Sequence, residues 1–495
     1  MVRLCNHKHT FPIINQFEKM SIPVTAVFDI GKTNKKFLLF DEEYNVVYEN
    51  QTTLEENVDD DGYPCEDINK LNQWVLDTFN SAMSDEKYEI KDLNISAYGA
   101  TVVNLNEKGQ PVTPVYNYLK PYPEQLLDQF YSNYGGKDNF CVQTASPPMG
   151  MLNSGLQLYW LKYQKPEIYK KIAYTLHLPQ YLSYLFTKEF VTELTSIGCH
   201  TGLWDFQKDQ YHSWLKKEKV DGLFPDPGDV TKTQPVDIDG QRIQVGKGIH
   251  DSSAALAPFL IAIESPFVLL STGTWSITLN PYNPEPLSFD ELQKDCLCFK
   301  DINGNSVKAS RFFSGGELEY QAKKLGDYFH KKPGYFKEIK MEVSQIKKII
   351  EQPEKKRMLK LETAHGSGPF PEVHKQEWDI TQFESYEEAY YQMMVDLVWI
   401  QVESLKLAMG NTSVNKLIVT GGFGKNELFM KMLATRFPDK EVYSVRLPQS
   451  SALGAATVVK KFNERNTKLL QGRINLQRYI PIAGLSLKDY QWSKK

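Results

Sequence analysis

Val24-Thr-Ala-Val-Phe-Asp29, Ile30-Gly31-Lys32-Thr33-Asn34 and Lys36-Phe-Leu-Leu-Phe40 follow one another near the start of the chain. The outer two are β-branched and aromatic runs that read as buried strands, and the segment between them reads as a tight turn. After a second turn over residues 41–45, Val46 to Glu49 adds a third strand, so the chain opens as a meander. The same signal returns about 240 residues later. Phe267-Val-Leu-Leu270 and Trp275-Ser-Ile-Thr-Leu279 flank the turn Ser271-Thr-Gly-Thr274. Two matching hairpins half a chain apart predict two halves of related topology, although their sequences share almost nothing.

Working outward, residues 71–79 carry apolar side chains at helical spacing, and Leu93 to Tyr98 reads as a strand ending at Gly99. Helical patterns cover residues 156–163, 179–186, 383–409 and 426–437. Leu417-Ile-Val-Thr420 is a strand that runs into Gly421-Gly422. Residues 331–374 are lysine-rich with little periodicity after Ile350, and the plain reading is a solvated, mobile insertion.

Composition narrows the class. The 495 residues carry a formal net charge of −4, which argues against a nucleic-acid binder, since those are basic overall or carry a basic stripe. Hydrophobic residues at 41% and charged residues at 24% exclude a disordered, collagen-like or disulfide-dense chain. The longest apolar run, Ala254 to Ile263, contains Pro258 and is too short to span a bilayer. Cys5, Cys65, Cys141, Cys199, Cys296 and Cys298 form no CxxC pair, so reduced thiols and a cytoplasmic setting are expected. Residues 1–19 lack the apolar core of a secretory signal; they read as an appendage, or Met20 is the natural start.

Gly31-Lys32-Thr33 is not a P-loop, because the glycine required five residues earlier is Ala26 and the turn opens a strand instead of a helix. Gly422-Phe-Gly424 fails the dinucleotide fingerprint, since Glu427 stands where its last glycine belongs. What remains is a hairpin whose successive amides can cradle an anion. Gly31 permits close approach, Lys32, Thr33 and Asn34 add donors, and Asp29 at the strand end can hold a metal through water. Thr272, Gly273 and Thr274 offer the same chemistry with neutral hydroxyls. Asp251, in Gly248-Ile-His250-Asp251, can act as general base on a hydroxyl, or can simply cap the helix that follows. Gly421 and Gly422 let a flat ligand lie on the backbone, and Asn426 offers a donor and an acceptor to a base edge. Each motif also reads as an ordinary turn when taken alone.

In order, these motifs resemble those of the FGGY carbohydrate kinases, in the sugar kinase, heat-shock 70 and actin superfamily. Asp29 to Thr33 looks like the first phosphate motif, Gly248 to Asp251 the catalytic segment and Ser271 to Trp275 the second phosphate motif. Thr420 to Asn426 looks like the adenosine motif, and Ala452-Leu-Gly-Ala-Ala456 the C-terminal signature. Residues 156–159, 178–184 and 192–196 are similar to the central region of rhamnulokinase-type and L-fuculokinase-type members.

The resemblance implies an α/β fold of two RNase H-like, actin-like ATPase domains with an interdomain cleft. The expected division is an N-terminal extension 1–21, an N-terminal domain 22–248, and a C-terminal domain 249–480 carrying the insertion 331–374. It also implies ATP with Mg²⁺, and a small sugar as partner, with no nucleic acid, no membrane and a homodimer as the candidate assembly. Phosphorylation of a ketose such as L-rhamnulose or L-fuculose at the 1-hydroxyl is the expected activity, with Asp251 as base. Sugar contacts are expected from Gly99, Thr101, Asn117, His250 and Asp251; Thr101 and Asn117 fall where the family carries acids. Two alternatives stand. One is an aldonate, polyol or pentulose kinase with Arg311 or Lys120 lining the sugar site. The other is a nucleotide-gated binding or filament protein.

Overall fold

The computed structural model describes residues 21–351, 357–460, 464–488 and 490–492. Residues 1–19, with Cys5, lie outside them. Two seven-stranded sheets dominate. The first holds β1 (Ile22–Ile30), β2 (Lys35–Phe40), β3 (Val46–Thr52), β4 (Tyr88–Ala97), β5 (Gln234–Ile238), β6 (Gln241–Val245) and the short β7 (Ile249–His250). Its order is β5-β6-β4-β1-β2-β3, with β7 beside β4. The second holds β8 (Phe267–Thr272), β9 (Ser276–Asn280), β10 (Cys296–Lys300), β11 (Ser306–Phe312), β12 (Lys416–Gly421), β13 (Glu441–Val445) and β14 (Leu476–Tyr479), ordered β10-β11-β9-β8-β12-β13-β14.

The pairings repeat. β1 is antiparallel to β2 and parallel to β4; β8 is antiparallel to β9 and parallel to β12. The related topology expected from two hairpins is therefore present around both cleft strands.

The strand sequences explain the burial. Val24, Ala26, Val27, Phe28 and Ile30 are all buried, so β1 is covered on both faces, as strands with parallel neighbours generally are. Phe28 meets Trp74 of α1 (Ile68–Met83) on one face, while Val27 joins a separate cluster with Leu38 and Phe40 on the other. Asp67 starts α1 by accepting from the amides of Asn69 and Lys70.

Two helices lie between the sheets. In α2 (Asp251–Ala262) and α3 (Ser450–Val459) the backbones touch: a Cβ on Gly454 would sit 1.8 Å from the carbonyl oxygen of Ala254. Asn94, buried on β4, donates to the Ala455 carbonyl and accepts from the Gly248 amide, tying α3 and the segment ahead of α2 to the first sheet.

The reading of residues 331–374 as a solvated insertion is corrected. Ile346, Ile349, Met358, Leu359, Leu361, Ala364, Phe370 and Val373 are buried in the core of the second half. The chain there is mostly irregular, which hides its apolar residues from a periodicity argument. Two buried carboxylates satisfy its backbone instead. Glu317 accepts from the amides of Glu362, Thr363 and Ala364, and Asp396 accepts from Leu359. No helix among the described residues is long and apolar enough to cross a membrane.

Candidate active site

The ends of β1 and β8 and the starts of α2 and α3 come together around one cavity. A cavity of about 210 Å³ is lined by Asp251 and Ser252 at the start of α2, Ser271 and Ile277 of the second sheet, and Ser450 and Ser451 of α3. Ser451 Oγ donates to Asp29 Oδ2 at 3.0 Å, which brings the end of β1 to the same place.

Asp251 occupies the first turn of α2, with His250 at the cap position, so the reading of Asp251 as a mere helix cap fails. Its side chain is 37% exposed, and Oδ1 lies 3.2 Å from His250 Nε2. Burial lowers the pKa of His250, with Asp251 opposing that shift, so the ring is held neutral. A neutral imidazole donating from Nε2 orients the carboxylate without taking its charge; this tautomer follows from the partner. The His250 amide donates to Thr195 Oγ1, and Glu193 holds that turn by accepting from the amides of Thr195 and Ser196. A Cβ on Gly99 would come within 3.1 Å of His250 Nε2, so glycine there lets the imidazole close against the strand end.

Asp29 titrates at about 6, raised first by burial and then by the nearby charge of Asp251, against the hydrogen bond from Ser451. Two carboxylates and a hydroxyl around one cavity form a hard-oxygen set with few protein ligands. Such a set fits Mg²⁺, which keeps several of its waters.

The two turns differ in detail. The Gly31 amide donates to the Asn34 carbonyl, and the Gly273 amide to the Trp275 carbonyl, so both first amides are used within their turns. Thr33, Asn34, Gly273 and Thr274 are exposed. Lys32 pairs with Glu56 at 2.5 Å, and Asn117 Nδ2 reaches the same carboxylate at 3.5 Å. An acid thus stands beside Asn117 after all, supplied by a residue the sequence reading missed. Lys32 faces it, on the side of Asn117.

Three residues expected at the ligands have side chains engaged within the protein. The hydroxyl of Thr272 is buried; it bonds the Thr420 carbonyl and accepts from the Phe423 amide. Asn426 caps the helix Glu427–Arg436 through Oδ1 and donates through Nδ2 to Tyr390, leaving one amide hydrogen for a base. Thr101 is buried, with its hydroxyl turned to the Gly99 carbonyl. Gly421 and Gly422 are exposed, and Gly421 has φ +84° with its Cβ position 1.7 Å from the Thr272 carbonyl oxygen, so the glycine floor abuts the second turn.

The reading also missed Ser451 and the pair Gly315-Gly316. A Cβ on Gly315 would lie 1.9 Å from the Gly273 carbonyl oxygen, and the Gly316 amide donates to the Thr274 carbonyl. The clue was available as Ser314-Gly-Gly at a helix start and as two serines ahead of Ala452.

Two sheets of repeated topology around a cleft of glycine turns and carboxylates define the two-lobed actin-like ATPase class. Residues 24–217 match the N-terminal domain of the FGGY family of carbohydrate kinases, and residues 264–467 match the carbohydrate kinase FGGY C-terminal domain. The chain belongs to the FGGY carbohydrate kinases. It is 23% identical to a rhamnulokinase of Oceanobacillus iheyensis over 44% of this chain and 47% of that protein, about half the relative's length. It is 21% identical to an L-fuculokinase of Haemophilus influenzae over 61% of this chain and 67% of that protein. A carbohydrate kinase from Novosphingobium aromaticivorans shares the fold with a TM-score of 0.76 at 23% identity, covering 94% of this chain and 97% of its own.

Proposed function

We propose that the protein transfers the γ-phosphoryl group of ATP to a hydroxyl of a ketose, the 1-hydroxyl of an L-rhamnulose- or L-fuculose-type sugar. The observation that carries the reading is Asp251, a partly exposed carboxylate steered by a neutral histidine and opening on the cavity bounded by Ser271. As the sugar oxygen bonds to phosphorus, its proton passes to Asp251, and the bond from phosphorus to the β-phosphate oxygen breaks to release ADP. Gly273, Thr274 and the amides after Gly31 face the phosphates, and Gly421 and Gly422 support the base. Asp29 would hold Mg²⁺ through water, and the ion would supply positive charge to offset that of the phosphate oxygens. Positioning and electrostatics supply most of the rate in such a reaction.

The ketose reading gains over an acid substrate because both basic candidates are already paired. Lys120 lies 2.5 Å from Asp59 and from Asp61, and Arg311 lies 3.0 Å from Asp295. The described cysteines are free and buried, which fits a reducing, cytoplasmic setting. ADP release measured across L-rhamnulose, L-fuculose, ribulose, xylulose and gluconate tests the reading. Stimulation by a deoxyketose is expected; stimulation by gluconate alone would replace the substrate class. No stimulation by any of the sugars would favour a non-catalytic nucleotide binder.

A further inference from the structure

Lys35 is 1% exposed, at the first position of β2 directly after the Gly31–Asn34 turn. A buried ammonium is expensive unless paired, and an apolar residue of the same length would fill the position at lower cost. Here the charge has three ties. Nζ lies 3.1 Å from Glu66 Oε1, donates to the carbonyl of Lys32 at 3.0 Å, and reaches Glu66 Oε2 at 3.3 Å. Tyr98 donates to Glu66 Oε2 at 3.0 Å, and its own amide donates to the Ile30 carbonyl. The network therefore joins the inner side of the turn to the residue just before Gly99.

We propose that Lys35 is a positioning residue that aims the backbone amide of Thr33 at a nucleotide phosphate. In a planar trans peptide the carbonyl of residue 32 and the N–H of residue 33 point in opposite directions. Holding the Lys32 carbonyl inward on a buried ammonium turns the Thr33 N–H outward, where Thr33 is exposed. The same charge polarises that peptide, which strengthens the amide as a donor to an anion. The Gly31 amide cannot take this part, being bonded across the turn to Asn34. Through Tyr98 the device also couples the turn to the sugar end of β4. The inference rests on the kinase reading of the cleft.

The test compares MgATP with adenosine as probes of direct binding by the full chain. Lys35→Met alone strands the Glu66 charge and can unfold the protein, so the decisive variant is Lys35→Met with Glu66→Gln, which removes both charges and keeps an acceptor for Tyr98. The expected result is a folded variant that binds MgATP roughly tenfold more weakly, the loss of one hydrogen bond to a charged group, with adenosine affinity unchanged. Tyr98→Phe, a milder change that keeps the fold, gives the same split at about threefold. Unchanged MgATP affinity in the double variant overturns the inference, as does equal weakening of both probes, which marks a merely structural pair. Failure of the unaltered protein to bind MgATP at all sinks the nucleotide reading of the cleft and this inference with it.

Discussion

In the first half, the strand that enters the cleft ends Asp29-Ile-Gly31; in the second it ends Ser271-Thr-Gly273. The strand pairings around the two are the same, yet one turn spans four residues between Ile30 and Lys35 and the other three between Thr272 and Ser276. The first carries a desolvated carboxylate, a lysine paired with Glu56 and a buried Lys35–Glu66 pair. The second carries hydroxyls, an exposed glycine and a lid of two further glycines from the start of the helix Ser314–Tyr328. Repeated topology delivers two turns to one cleft, and the side chains then divide the work. The first turn surrounds its backbone with charge, and the second leaves a neutral, exposed backbone. Asp251 belongs to neither turn, because it follows the short β7 where the first sheet passes into α2.

The largest effect is expected where no second copy exists. Asp251→Asn should fold and lose turnover at least roughly a hundredfold, the low end of a positioned base's contribution. Steady-state ADP release beside circular dichroism checks it. A folded variant with near-normal turnover would remove Asp251 from the chemistry and leave the two turns as a binding device only.

The two glycines give the next contrast. At Gly273 an added Cβ has no neighbour nearer than 3.8 Å, whereas at Gly31 it meets the Asn34 carbonyl oxygen at 3.0 Å. Gly273→Val should therefore keep its melting temperature while the KM for ATP rises about tenfold, the effect of holding phosphate off one strong donor. Gly31→Ala should weaken ATP binding as well and also lose about 1 kcal/mol of stability to local crowding. Thermal melts and ATP titrations on the pair measure it. An unchanged ATP dependence for Gly273→Val would mean the second turn does not face the phosphates.

The fold was legible in the sequence because strands with two buried faces write continuous apolar runs, as at Val24–Ile30 and Phe267–Leu270, and glycines mark the turns between them. The site was legible only as far as its backbone. Which end of a polar side chain is free depends on neighbours far away in sequence. Thr272 and Asn426 looked available and are engaged by Phe423, Phe429 and Tyr390. Glu56 and Ser451 looked unremarkable, yet tertiary contacts bring them to the cleft beside Lys32 and Asp29. Residues 357–373 misled for a related reason, since burial there depends on Glu317 and Asp396 accepting backbone amides and not on any period.

Asp396 sets the last contrast, between the buried acids of the two halves. Glu66 has a lysine, while Asp396, with no exposed surface, accepts from three neutral donors, Tyr490, Gln392 and the Leu359 amide. Burial raises its pKa from 3.8 to about 6, opposed by those bonds and by the more distant charge of Lys360. A carboxyl raised in the folded state contributes stability that is complete below its unfolded value and is lost as pH rises through about 6. At pH 8 the folded protein therefore carries a buried charge whose hydrogen bonds do not fully offset its burial. Asp396→Asn keeps an acceptor for Leu359 and Gln392, and the Tyr490 hydroxyl can reverse to accept. The variant should gain on the order of 1–3 kcal/mol over the unaltered protein at pH 8 and nothing near pH 4. Denaturant unfolding at both pH values reads the difference. A gain of equal size at both would show that the introduced amide repacks the helix Tyr386–Met409 instead of removing a charge. Loss of stability at pH 8 would show the carboxylate to be as well held as Glu66 is by Lys35.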